Sequence, residues 1–81
     1  MSETTGQRVR LARLSLRYSQ AELAGILGYR QAWVSKIELD QRNLLVETAK
    51  RLAFVLGVKW QDLYPQGVPL PQIPARELWD G

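Results

Sequence analysis

Apolar residues recur along the first 64 positions at spacings of three and four, the period of an α-helix, and no stretch alternates as a half-buried strand does. Val9, Ala12, Arg13 and Leu16 share one face of a helix predicted over 6–17, with Leu11 and Leu14 off that stripe. Ser19-Gln20-Ala21-Glu22 is a capping box, in which Ser19 accepts from the Glu22 N–H and Glu22 reaches back to the N–H of Ser19. It opens a second helix over 20–27, with Leu23, Ala24 and Leu27 inward and Gly28 at the left-handed stop. A third helix over 31–39 turns Val34, Ile37 and Glu38 inward and leaves Gln31, Ala32, Ser35 and Lys36 outside. Asp40 to Leu44 is a loop. A fourth helix over 46–56 gathers Ala49, Leu52, Ala53 and Leu56 on one face and stops at Gly57, and a short fifth over 60–64 carries Trp60, Leu63 and Tyr64.

The composition shifts at Pro65. Pro65, Pro69, Pro71 and Pro74 favour an extended tail over 65–81, with one helical turn expected at Ala75 to Trp79. The pattern therefore describes an all-α domain over 6–64 and a Pro-rich C-terminal tail. A chain of 81 residues holds one domain at most. It buries little surface, so efficient packing or pairing with itself has to supply the stability.

Chemistry enters mainly by exclusion. The chain has no cysteine and no histidine, so disulfides, thiolate metal sites and the commonest general base are all missing. No enzyme activity, metal or cofactor is expected. The longest apolar runs are a few residues, too short for a membrane span, and Met1 to Gly6 is polar and small, unlike a secretory leader. The expected location is the cytoplasm. The net charge of +3 lies entirely in residues 1–42, while residues 43–81 balance to zero. That asymmetry fits a polyanion-binding face in the first half, with ordinary solvated charge as the alternative.

Two short helices joined by a tight turn, over 20–39, form a helix-turn-helix unit. The major groove is about as wide as one helix. The second helix of such a unit enters it and the first crosses the backbone. Ser19-Gln20-Ala21-Glu22-Leu23-Ala24, Leu27-Gly28, Val34-Ser35-Lys36-Ile37-Glu38, Arg42, Leu52-Ala53 and Leu56-Gly57-Val58 together resemble the phage-repressor (Cro/C1, or XRE-type) helix-turn-helix family over residues 6–64. The resemblance implies a five-helix, lambda-repressor-like DNA-binding domain and a transcriptional regulator, repression being the expected sign. Its partner is double-stranded DNA, bound by a dimer at a palindromic operator.

Carried onto matching positions, the resemblance assigns base contacts to Gln31, Ala32 and Lys36. Their groups suit adenine, a thymine methyl and guanine respectively. It assigns backbone contacts to Gln20 and Arg42; Ser35 either bonds a phosphate or sits small near the groove, and Arg30, though a departure from the family, places a charge beside the DNA backbone. Trp33 is large for its place: it lies either against sugar and phosphate, or a thymine methyl, or at the edge of the core. Arg13 and Glu38 stand where the family pairs helix 1 with helix 3, a structural role. Three departures follow. Arg30 replaces the usual Ser or Thr cap of helix 3 and cannot cap, while Arg17 and Asp40 replace turn glycines.

Leu44, Leu45, Phe54, Val55 and Trp60 do not all fit the inward stripe, and they are the expected homodimer surface. The competing reading is a protein-interaction module, such as an antitoxin, whose tail docks on a protein partner through Leu70, Ile73, Leu78 and Trp79.

Overall fold

The structure, a computed structural model, describes residues 3–65. Thr4 Oγ1 accepts from the Gln7 N–H at 3.1 Å and the Thr4 N–H donates to Gln7 Oε1 at 2.9 Å. This capping box starts α1 (Thr5–Ser15). Ser19 and Glu22 form the expected second box, with bonds of 3.0 and 2.9 Å, and open α2 (Gln20–Leu27). The hydrogen bonds from Ser19 hold the Glu22 carboxyl below the ordinary carboxylate range. Next come α3 (Gln31–Glu38) and α4 (Val46–Leu56).

All four helices end the same way: the residue after the last turn is left-handed, and the next N–H reaches back five residues. Those bonds are Tyr18 to Arg13, Tyr29 to Ala24, Gln41 to Lys36 and Val58 to Ala53. Gly28 (φ 80°) and Gly57 (φ 70°) adopt this conformation freely, whereas Arg17 (φ 61°) and Asp40 (φ 59°) do so against their Cβ. Such strain costs on the order of 1 kcal/mol per residue. At Asp40 a bond partly offsets it, since Oδ1 accepts the Gly6 N–H at 2.9 Å.

The core sits between α1, α2, α3 and α4 and is closed below by Leu63 and Tyr64. Leu23, Ile37, Leu52, Val9 and Val34 are fully buried, so the inward faces of α2, α3 and α4 lie where the spacing put them. Burial pushes the Tyr64 phenol up to about 12, and its hydroxyl donates to the Leu44 carbonyl.

Three expectations change. The first helix stops at Ser15, because the left-handed Arg17 ends it, and Leu16 is 44% exposed. The fifth element is not an α-helix but a single 3-10 turn, Trp60–Leu63, too short for an i to i−4 ladder before Pro65. Leu44 is 3% exposed and belongs to the core, held there beside Tyr64, so it offers no side chain to a second copy. The tail beyond Pro65, with the helical turn expected in it, lies outside the described residues. Among those residues, no helix is long and apolar enough to cross a membrane.

Candidate nucleic-acid interface

At 100° per residue, Gln31, Ser35, Ala32 and Lys36 form one contiguous arc about 140° wide on α3. Gln31, Ala32 and Lys36 are exposed and Ser35 is half-buried, while Val34, Ile37 and Glu38 fill the opposite arc. The three residues expected to meet bases are thus neighbours on one open face.

A chain of hydrogen bonds fixes that face. Glu38 Oε2 accepts from Arg13 Nε at 2.6 Å and Glu38 Oε1 from Arg13 Nη2 at 3.0 Å, a bidentate pair buried at 7% and 6% exposure. Glu38 Oε1 also accepts from Gln20 Nε2 at 3.0 Å, and Gln20 Oε1 accepts from Gln31 Nε2 at 3.4 Å. Arg13 spends a further N–H on the Tyr18 carbonyl, at 2.8 Å. Its bond to Glu38 raises the Arg13 pKa further above its ordinary value. Arg13 of α1, Glu38 at the end of α3, Gln20 at the start of α2 and Gln31 at the start of α3 are therefore one unit. Gln20 braces Gln31 and keeps one amide N–H for another acceptor.

A second support holds the other flank. Trp33 is half-buried and stacks on Tyr29, with centroids 4.4 Å apart and planes at 25°. The Arg51 guanidinium stands 5.6 Å from the Tyr29 centroid, donating to Tyr29 Oη at 3.3 Å and to the Leu27 carbonyl at 2.9 Å. Through Arg51, α4 clamps the turn between α2 and α3. Sequence reasoning missed Tyr29 and Arg51. Neither carried a readable signal: Tyr29 lies in the turn before the N-cap of α3, outside helical spacing, and the partners of Arg51 lie at the end of α2 and in that turn.

Arg30 is the N-cap of α3 and makes no side-chain capping bond, as its side chain dictates. Arg30, Lys36 and Arg42 are all exposed, and none has a carboxylate partner among the described residues. Of the expected dimer residues, Phe54 is 88% and Leu45 40% exposed, while Val55 and Trp60 are half-buried against the core.

These features define a helix-turn-helix domain with a braced recognition helix. The Helix-turn-helix family model matches residues 9–63. The chain belongs to this family, in its Cro/C1 (XRE) form, and so to the DNA-binding transcriptional regulators. No curated protein sequence matches it. Among solved structures it resembles the restriction-modification controller protein C.AhdI from Aeromonas hydrophila, with 32% identity, 74% of this chain and 87% of that chain covered and a TM-score of 0.68. It also resembles SinR, the master regulator for biofilm formation, in complex with DNA, at 30% identity, with 74% of this chain and 97% of that chain covered and a TM-score of 0.69. The P22 c2 repressor in complex with a synthetic operator shares the fold, with 24% identity, 83% of this chain and all (100%) of that chain covered and a TM-score of 0.73.

Proposed function

We propose that this protein binds a palindromic operator sequence-specifically as a homodimer and represses transcription there. The observation that carries the reading is the open arc of α3, held by the chain from Arg13 through Glu38 and Gln20 to Gln31. A side chain placed before the DNA arrives spares binding the cost of ordering it. Gln31 is placed in this way and pairs with adenine, Lys36 reaches guanine O6 and N7, and the Ala32 methyl meets thymine.

Gln20 offers its remaining N–H to a phosphate. Arg30, Ser35 and Arg42 bind phosphate around the same helix, and Trp33 contributes its open edge to the backbone. Two copies paired through the exposed Leu45 and the half-buried Trp60 set their recognition helices about 34 Å apart, one turn of DNA. SinR, a regulator solved in complex with DNA, and C.AhdI, a restriction-modification controller protein, support the reading at 30% and 32% identity.

The test is selection of binding sites from random duplex DNA, with the wild-type chain and with Lys36→Ala. The expected result is a palindromic consensus, and for Lys36→Ala a relaxed preference at one base pair per half-site with a loss of about 1–3 kcal/mol. An unselective pool refutes sequence reading, a single half-site refutes the dimer, and an unchanged consensus in Lys36→Ala refutes that base contact.

A further inference from the structure

Away from the recognition face, α2 and α4 leave a groove of about 440 Å³ between them, lined by Ile26, Leu27, Lys50, Arg51, Phe54 and Val55. Its walls are apolar and open. Phe54 is 88% exposed and Ile26 53%, and nothing among the described residues covers either. Its rim is basic. Lys50 lies 5.5 Å from the Trp60 ring centroid and Arg51 bonds Tyr29 and Leu27, yet neither meets a carboxylate among the described residues. A Phe side chain this exposed, between two cations, suits an apolar segment bounded by acids.

A second copy suits the groove poorly. A two-fold pairing centred on Phe54 sets Lys50 and Arg51 against their own images, and like charges facing each other across an interface oppose binding. The sequence supplies a better match. Glu77-Leu78-Trp79-Asp80 places two large apolar side chains between two carboxylates, the complement of an apolar groove with a basic rim. The tether is long enough. Pro65 follows the 3-10 turn that packs on α4, and the 12 residues from there to Glu77 span up to about 40 Å when extended. The whole of α4, 11 residues, is only about 16 Å long.

We infer that the groove between α2 and α4 is a docking site for this chain's own segment Glu77–Asp80, with Leu78 and Trp79 against Ile26, Phe54 and Val55 and the two carboxylates toward Lys50 and Arg51. The inference is independent of the operator reading, since the groove shares no residue with the arc on α3. Docking of this kind withdraws Phe54 and Val55 from the homodimer surface and leaves Leu45 and Trp60 to it.

The absence of cysteine in the 81-residue chain allows a single nitroxide to be attached to it through Gly81→Cys. Amide signals of Ile26, Lys50, Phe54 and Val55 are expected to lose most of their intensity relative to the reduced label, while those of Gln31 to Lys36 keep theirs. The loss should shrink severalfold in Phe54→Ala, a surface change that leaves the core intact. It should shrink again in the pair Glu77→Lys and Asp80→Lys, and return in part when Lys50→Glu is added to that pair. Uniform broadening, or none at the groove, overturns the inference. So does broadening that appears equally when isotope-labelled chains without nitroxide are mixed with unlabelled chains that carry it, because the occupant is then a second copy.

Discussion

A Cβ built on Gly6 stands 2.5 Å from the carbonyl oxygens of both Ile37 and Glu38. The obstacle is backbone, so no side chain can swing aside. Gly6→Ala is expected to force α1 away from the end of α3 and to cost about 1–3 kcal/mol, read as a lower urea midpoint at an unchanged slope. An unchanged midpoint would show that the two helices are not seated this closely. Tyr64 gives a second residue-scale outcome. Its folded pKa is raised by burial to about 12 from 10.0, so the unfolded chain releases the proton first. The stability it contributes is complete below about pH 10 and is lost as the pH rises toward 12. Denaturant midpoints measured across that window should fall more steeply in the wild type than in Tyr64→Phe, and equal slopes would contradict the burial. Neither feature was legible in the sequence. Gly6 looks like any small residue until the α3 carbonyls are brought against it, and Tyr64 looked like a helix residue until Leu44 turned out to accept its hydroxyl.

Among the helices, α3 and α4 both start without a side-chain cap, and at α3 the uncapped position carries a charge beside the proposed interface. Arg30 has the extended backbone of an N-cap (φ −88°, ψ 155°) but no side-chain bond to the first turn. Arg30→Ser is expected to stabilise the fold by about 1 kcal/mol and, if Arg30 meets a phosphate, to weaken binding to every DNA sequence alike while lowering the salt slope by about 1. Thermal melts and titrations at several salt concentrations read both effects; a variant that is no more stable would show that the α3 start is satisfied in some other way. Periodicity and stop residues made α2, α3 and α4 readable to within a residue, because local chemistry sets their ends. The start of α1 was readable from Thr4 and Gln7, a capping box of the same pattern as Ser19 and Glu22. The 3-10 turn and the burial of Leu44 were not, because apolar spacing shows that a residue seeks cover and leaves open which surface supplies it.

For the whole molecule, the charge asymmetry and the open arc of α3 lie in the same half of the chain. A dimer neutralising six or more phosphates is expected to lose affinity on the order of a thousandfold between about 50 and 200 mM salt; a flat response in a binding titration would remove the phosphate contacts from the account. The residue types of the proposed interface stand in the sequence from Gln20 to Arg42. Of their mutual support, the pairing of Arg13 with Glu38 followed from the family resemblance, while the bonds that complete the unit, from Gln20 to Glu38 and from Gln31 to Gln20, join positions that only the fold brings together. That unit also divides the reading surface by function. Gln31 is tied to the framework, so replacing it disturbs the bracing along with the base contact proposed for it, whereas the side chains of Ala32 and Lys36 hang from α3 with no bond to the scaffold. On the proposed reading, a lineage of this protein can therefore drift from one operator to another through positions 32 and 36 while the domain stays folded, with position 31 anchoring the register against which each new site is read.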